Sequence, residues 1–126
     1  MIEDKTVLVV EDEFSLMRAV LEKFKNESFT TLQARNGVEG LAIALKEHPD
    51  LILLDIMMPK MDGISLLREL RKDVWGKDAK VVMLTNLSDN EKLAEAEELG
   101  IDDFFIKTNL KIEDILKKVL EKLNKI

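Results

Sequence analysis

The chain has 126 residues, of which 46% are hydrophobic and 35% charged, with a formal net charge of −6 and no cysteine. This length predicts one globular domain, and the lack of cysteine excludes disulfides, thiolate metal sites and a cysteine nucleophile. The sequence has no apolar run near the ~18 residues that span a bilayer, no secretory signal at its acidic start and no clustered basic stretch. We therefore expect a cytoplasmic protein that neither inserts into membranes nor binds nucleic acid directly.

Short apolar runs alternate with segments of helical period along the whole chain. In chain order, strands are predicted at 7–10, 29–34, 51–54, 81–84 and 104–106, and helices at 13–25, after Gly37, after Gly63, from Ser88 to Leu99 and over 112–123. Asn36 and the pair Ser88 and Glu91 resemble helix caps. The second helix is expected to turn Val38, Leu41, Ala42 and Leu45 inward. The Ala- and Glu-rich fourth helix should pack lightly.

This alternation predicts an α/β fold with a mainly parallel sheet covered on both faces. Right-handed crossovers leave few arrangements. We predict a (βα)5 doubly wound, five-stranded sheet in the flavodoxin-like order 2-1-3-4-5. In that order a crevice opens at the carboxyl ends of strands one and three.

Polar residues follow the predicted strands at these carboxyl ends. Glu11 and Asp12 follow the first strand, and Asp55, Thr85 and Lys107 follow the third, fourth and fifth. Each alone has a plainer interpretation, such as a helix cap for Asp12 or a turn residue for Asp55. Together, at four strand ends, they predict one site.

Carboxylates this close repel one another, and a hard cation such as Mg²⁺ relieves the repulsion. With Mg²⁺ present, Asp55 at the end of the central strand is the best candidate for a nucleophile that forms an aspartyl-phosphate. Lys107 supplies a positive charge for the phosphoryl oxygens, and Thr85 supplies a hydroxyl donor.

With these residues in place, the chain resembles the CheY-like receiver domains of two-component response regulators. The matching stretches cover nearly the whole chain: Val7–Glu13, Leu53–Gly63, Val82–Thr85 and Gly100–Lys107. The second is very specific, with an apolar strand, Asp55, and then Met-Pro-x-Met-Asp-Gly. The resemblance implies a single receiver domain over residues 1–126 with no effector domain.

The resemblance also implies roles for individual residues. Asp55 would be phosphorylated by a histidine kinase or histidine phosphotransfer protein. Mg²⁺ would be held by Asp12, Asp55 and the backbone carbonyl of Met57, with Glu11 acting through water. Lys107 would pair with the phosphoryl group, Thr85 would move toward it, and Phe104 would change rotamer. The fourth helix, fifth strand and fifth helix would then bind a downstream protein partner. The only enzymatic activity expected is slow self-dephosphorylation.

Three departures from the family pattern are visible. Thr108 replaces the usual proline after the lysine, and a trans peptide is expected there because a cis non-proline bond costs about 3–4 kcal/mol. Asn86 replaces a small residue and would narrow access to the phosphoryl group or hydrogen-bond near it. Met57 and Leu87 are both apolar where relatives control water, so we expect a long-lived phosphorylated state.

Other functions compete with a phosphorylation switch. One is a receiver-like module that binds proteins without phosphorylation, which Thr108 and Asn86 favour. A more distant alternative is a Mg²⁺-dependent phosphohydrolase with an aspartyl nucleophile, but such enzymes typically place a second Asp where this chain has Met57. Flavin binding is weaker still, because the loops contain no Gly- and Ser-rich phosphate cradle.

Overall fold

The computed structural model describes residues 5–86, 88 and 90–123, which form one parallel sheet with helices on both faces. The strands are β1 Thr6–Val10, β2 Thr30–Ala34, β3 Leu51–Asp55, β4 Val81–Thr85 and β5 Asp103–Ile106. The helices are α1 Phe14–Asn26, α2 Gly37–Glu47, α3 Gly63–Lys72, α4 Asn90–Leu99 and α5 Ile112–Lys122. The sheet order is β2-β1-β3-β4-β5, with every neighbouring pair parallel, so the predicted fold is confirmed.

Two hydrophobic cores lie on opposite faces of this sheet. Alternate residues of the buried strands point to opposite faces, so Val9 and Leu53 pack under α1 and α5, whereas Val10 and Leu54 pack under α2 and α3. β3 and β4 are buried at every position. Across the part of the chain that the structure describes, no helix has both the length and the apolar character needed to cross a bilayer.

The buried face of α2 differs from the predicted one. Val38 and Leu45 are 51% and 38% exposed, and Ala42 is exposed too. The buried residues are Gly37, Gly40 and Ala44, with Leu41 partly buried. The prediction was wrong because it ranked side chains by size. The small residues of α2 face inward because its backbone lies close to the sheet, where a Cβ on Gly40 would stand 2.8 Å from Val10 Cγ1.

The helix ends show how several of the helices are capped or terminated. Asn36 accepts a hydrogen bond from the Glu39 N–H (2.9 Å), as predicted, and Asp62 accepts one from the Ser65 N–H (2.8 Å). α4 begins at Asn90, two positions after the predicted cap Ser88, and residue 89 lies outside the described residues. Gly100, at a φ of +94°, follows the last residue of α4, so the helix ends at Leu99 as predicted.

Two glycines bring the start of α2 and the start of α3 against the loop that follows β3. A Cβ on Gly37 would lie 2.0 Å from the Met61 carbonyl oxygen, and a Cβ on Gly63 would lie 2.2 Å from the Asp55 carbonyl oxygen. Gly63 also donates a backbone hydrogen bond to the Ile56 carbonyl (2.7 Å). The loop next to Asp55 is therefore held on two sides by backbone contacts that leave no room for a side chain at Gly37 or Gly63.

We expect Gly37→Ala to destabilise the protein by about 2 kcal/mol, because the added methyl group overpacks a rigid backbone contact with Met61. An unobstructed Gly→Ala change usually stabilises a protein by ~0.4–1 kcal/mol, so the sign of the effect is diagnostic. Urea denaturation measures it. Gly40→Ala is the matched control with a smaller cost, because its nearest atoms are side-chain methyls of Val10 and Leu66 that can shift. A Gly37→Ala protein more stable than wild type would contradict the tight contact.

Candidate functional site

The strand register brings the predicted site residues to one edge of the sheet. Val10 pairs with Leu54, which places Glu11 beside Asp55 at the ends of β1 and β3. Asp55 pairs with Leu84, and Thr85 pairs with Ile106, so Thr85 and Lys107 follow on the next two strands. The carboxyl ends of all these strands meet at the edge where open α/β sheets bind ligands.

Lys107 lies between the two buried carboxylates of this site. Its Nζ is 3.1 Å from Asp55 Oδ2 and 3.0 Å from Glu11 Oε1. The Lys107 side chain is only 17% exposed, and both acids are nearly inaccessible. One ammonium group therefore neutralises part of the charge of two carboxylates, and the cluster keeps an excess of negative charge.

Asp12 adds a third carboxylate to this cluster and is the one exposed to solvent. One oxygen each from Glu11, Asp12 and Asp55 lies within 4.8 Å of the others, with Asp12 exposed and the other two buried. The second oxygen of Glu11 accepts the Glu13 N–H (3.0 Å), so Glu11 also stabilises the first turn after β1. The N-cap of α1 is Glu13, which makes no side-chain cap hydrogen bond. The plainer interpretation of Asp12 as that cap is therefore wrong, and its carboxylate stays available to a cation.

The surroundings of Asp55 make its charged form costly. Burial, followed by the charge of Glu11, raises the pKa of Asp55 to about 7 against the opposing effect of Lys107. Burial alone would lower the pKa of Lys107, but the charges of Asp55 and Glu11 outweigh it and raise that pKa above its usual value. A further cation beside Asp55 would favour its ionised form. Carboxylate oxygens are the ligands that Mg²⁺ prefers in proteins, so this donor set fits that ion.

Thr85 is buried at the end of β4, and its hydroxyl donates to the Asn86 carbonyl (3.2 Å). Its own carbonyl accepts the Lys107 N–H (2.7 Å), which ties the ends of β4 and β5 together. Residues 107 and 108 are both described, and no described peptide bond is cis, so the Lys107–Thr108 peptide is trans as predicted. Although Thr108 stands where proline is usual, the Lys107 ammonium group still lies beside Asp55.

Comparison with known proteins identifies this arrangement. A family model for the response regulator receiver domain matches residues 7–120. The chain belongs to the response regulator receiver family. It is 35% identical over 119 residues to sporulation initiation phosphotransferase F of Bacillus subtilis (strain 168), covering 93% of this chain and 94% of that protein. The acidic cluster of Glu11, Asp12 and Asp55 fits the magnesium site and phosphorylated aspartate of that family.

Longer relatives and a solved complex add to the comparison. The chain is 35% identical to the probable transcriptional regulator ycf27 of Porphyridium aerugineum over 125 residues, which is 98% of this chain but only 51% of the regulator. It therefore spans about half the length of that relative. The crystal structure of the CheX–CheY–BeF3–Mg²⁺ complex from Borrelia burgdorferi contains a chain that matches with a TM-score of 0.85 at 27% identity, covering 96% of this chain and 90% of that one.

Two neighbouring aromatic residues of β5 lie on opposite faces of this receiver. Phe104 is partly buried and packs with the core under α2, α3 and α4, whereas Phe105 packs with the core under α1 and α5. Phe104 pairs with Met83 in the sheet, two positions before Thr85. This division follows from the alternation of side chains along a strand. A change of Phe104 rotamer stays a prediction.

α4 is the most weakly packed helix beside the site. Only Ala96 of this helix is fully buried. Arg68 on α3 forms an exposed ion pair with Glu95. Arg71 on α3 donates to the Leu99 (3.2 Å) and Gly100 (2.5 Å) carbonyls at the end of α4. The sequence did not reveal this role, because an arginine that bonds to a distant backbone carbonyl leaves no mark in the hydrophobic pattern. The C-terminal end of α4 is thus firmly held while the rest of it buries little.

Met57 and Leu87 are the two apolar residues that the sequence places around the phosphoryl site. Met57 lies in the loop after β3 and is 48% exposed. That its backbone carbonyl binds Mg²⁺ stays a prediction. Leu87, the other half of the predicted apolar shield, lies outside the described residues. The expectation of a long-lived phosphorylated state therefore stays a prediction.

Proposed function

We propose that this receiver accepts a phosphoryl group on Asp55 from a histidine kinase or a histidine phosphotransfer protein. The observation that carries the proposal is the contact of Lys107 with both Asp55 and Glu11, next to Asp12, at one edge of the sheet. Receiver domains interact with histidine kinases and with downstream partners. The near full-length likeness to a protein named as a phosphotransferase supports the same activity here.

In the proposed step, an ionised Asp55 oxygen attacks phosphorus, the new P–O bond forms, and the bond from phosphorus to the donor imidazole nitrogen breaks. The imidazole leaves with the electron pair and takes up a proton. Lys107 moves its charge from Asp55 toward the phosphoryl oxygens, which carry more negative charge than the carboxylate they replace. No carboxylate stands two residues after Asp55, because that position is Met57, so the acyl phosphate lacks the acid/base group of a phosphohydrolase.

Asp12, Asp55 and the Met57 backbone carbonyl would hold Mg²⁺, with Glu11 acting largely through water. When bound, the ion would offset the negative charge that collects on the transferring phosphoryl oxygens. Asp12 is exposed, so its carboxylate can bind a hydrated cation without losing a protein partner. The complex of a related receiver with Mg²⁺ and BeF3 supports this assignment.

The proposed output is a change in the surface formed by α4, β5 and α5. Thr85 would exchange its hydrogen bond with the Asn86 carbonyl for one with a phosphoryl oxygen, and Phe104 would fill the space beside β4 that Thr85 leaves. Weak packing of α4 fits such a change, because moving segments come from the low-stability part of a fold. A downstream protein would then bind this surface. Transcriptional regulators occur among the relatives, so independence from nucleic acid stays a prediction.

Intact-mass spectrometry tests the acceptor. We expect one added phosphoryl group after incubation with Mg²⁺ and a small-molecule phosphodonor, and its loss in Asp55→Asn or after chelation of Mg²⁺. Asp12→Asn should slow the reaction, and Asp114→Asn on the exposed start of α5 should not. An adduct that persists in Asp55→Asn would contradict the assignment of Asp55. No adduct at all, with a control receiver modified in parallel, would favour a module that binds its partner without phosphorylation.

Magnesium should also stabilise the unphosphorylated protein. At 100 times its dissociation constant, a ligand that binds only the folded state adds about 2.7 kcal/mol to the free energy of unfolding. We expect this gain in wild type in thermal or urea unfolding at constant ionic strength, and a markedly smaller gain at the same concentration in Asp12→Asn. An equal gain in both proteins would show that Mg²⁺ does not use the Asp12 carboxylate.

A further inference from the structure

A groove runs along the outer flank of α1, away from the site. α1 packs on β1 and β2, with α5 on one side, and its other side is open because the sheet ends at β2. The groove between α1 and β2 has a volume of about 230 Å³. Met17 and Leu21 form an apolar floor and are 4% and 8% exposed, and Phe14 at one end is 58% exposed.

The rim of this groove is basic in an otherwise acidic chain. Arg18, Lys25 and Arg35 line it, against one acid, Glu22. Glu22 lies 3.5 Å from Arg18 with both side chains about two-thirds exposed. Water therefore screens this pair and leaves Arg18 able to bind another anion. Arg35 sits over the Phe14 ring, 5.6 Å from its centroid. Lys25 makes no ion pair with any residue that the structure describes. The rim thus carries a surplus of positive charge while the chain has a net charge of −6.

β2, the strand beside the groove, is an edge strand without charged residues that would prevent another strand from pairing with it. Natural edge strands are usually protected from pairing by charged residues, proline or bulges. β2, with the sequence TTLQA, has none of these, and its exposed residues Thr30 and Gln33 are uncharged. β5, at the other edge, carries Asp103, which pairs with Lys118 (3.2 Å). Of the two edges, β2 is the one open to another strand.

We propose that this groove binds an extended acidic segment of a partner protein, which adds to the sheet as a sixth strand beside β2. The segment's carboxylates would pair with Arg18, Lys25 and Arg35, and one apolar side chain would cover Met17 and Leu21. At 1.5 Å per helical residue, the groove from Phe14 to Lys25 is about 16 Å long. About five residues of extended chain span that distance. The groove contains no residue of the phosphoryl site, so binding does not depend on Asp55.

A model peptide tests this surface. The probe is an acetylated and amidated heptapeptide, Asp-Thr-Val-Thr-Asp-Thr-Asp, whose Asp and Val side chains share one face of an extended strand. It is titrated into ¹⁵N-labelled protein and followed by backbone amide shifts. We expect saturable shifts confined to β2 and the outer flank of α1. The affinity should fall at least tenfold in Arg18→Glu/Lys25→Glu and stay within about twofold in Lys46→Glu/Lys117→Glu, which makes the same charge change elsewhere. Asp55→Asn should bind like wild type, which separates this test from the phosphorylation test.

Other outcomes would overturn the proposal. These are shifts spread over the surface, equal affinity in both charge-reversal variants, or no shifts at millimolar peptide. The same peptide with Lys in place of each Asp would also contradict it if it bound as well. If octanoate saturates the groove and the peptide does not, the site binds small amphiphilic anions instead of a strand. The neutral pair Arg18→Gln/Lys25→Gln replaces the charge reversal if that variant does not fold, and it should also lose most of the affinity.

Discussion

Asp55→Asn should make the protein more stable than wild type at pH 8 in the absence of divalent cations. Burial and the charge of Glu11 raise the pKa of Asp55 to about 7 in the folded protein, whereas an unfolded aspartate titrates near pH 3.9. Between these values the folded chain holds a proton that the unfolded chain has released, so wild-type stability falls as the pH rises through this window. A shift of about three pKa units corresponds to ~4 kcal/mol, which is the upper bound for the gain.

The gain should depend on pH in a defined way. It should be largest at pH 8 and shrink toward zero as the pH falls to about 4, because wild-type Asp55 then binds a proton and resembles asparagine. Urea denaturation of both proteins in EDTA at several pH values measures this difference. The contributions of the other carboxylates to the free energy of unfolding cancel, because both proteins contain them. Asp12→Asn is the matched control and should change stability far less, because Asp12 is exposed. A gain that does not vary with pH would show that the Asp55 charge is not its cause.

The stability advantage of Asp55→Asn over wild type should shrink when Mg²⁺ is added. Wild type then gains binding energy through the ionised Asp55, and Asp55→Asn loses that ligand. A site that is destabilised while empty and stabilised when filled is common where function requires charges to be held together. Here Glu11, Asp12 and Asp55 lie within 4.8 Å of one another, which lowers stability while no cation is bound. The same arrangement places the nucleophile where a cation and a phosphoryl group can bind.

The sequence predicted the site because strand ends are easy to recognise. Each buried strand is a short apolar run, and the polar residue that stops the run marks its carboxyl end, as at Asp55 and Lys107. The parallel sheet then brings these ends together without further information. The second role of Glu11, as acceptor for the Glu13 N–H, was missed because a side-chain to backbone bond two residues apart leaves no mark in the apolar pattern.

The prediction for α2 failed for a physical reason that applies more widely. Helical periodicity ranks faces by apolar size, and Val38 with Leu45 forms the larger apolar face. The structure instead buries Gly40 and Ala44, because close approach of the helix to Val10 and Leu66 needs small residues. Gly37 against the Met61 carbonyl is the same effect at the start of the helix. Such contacts depend on distances between elements that a single sequence does not encode locally.

Lys107→Met should destabilise the protein strongly at pH 8, because it removes the cation shared by two buried carboxylates. Removing one partner of a buried ion pair typically costs about 3–5 kcal/mol. Asp55 limits this cost, since it can bind a proton once the ammonium group is gone. We therefore expect a loss of about 2–4 kcal/mol at pH 8 and a smaller loss at pH 5, where Asp55 is already protonated. Lys117→Met on the exposed face of α5 is the matched control and should be close to neutral.

A double-mutant cycle separates the Lys107–Asp55 contact from other effects. In Lys107→Met/Asp55→Asn the uncompensated charge is absent, so the double variant should recover much of the stability lost in Lys107→Met. Urea unfolding of the four proteins in EDTA should give a coupling energy of at least ~1 kcal/mol at pH 8 and much less at pH 5. Additive effects at both pH values would mean that Lys107 acts mainly through Glu11, whose Oε1 lies 3.0 Å away. The proposed phosphoryl transfer requires a coupling energy between Lys107 and Asp55. A lysine that is attracted by the negative charge of Asp55 will also pair with the phosphoryl oxygens once they carry that charge.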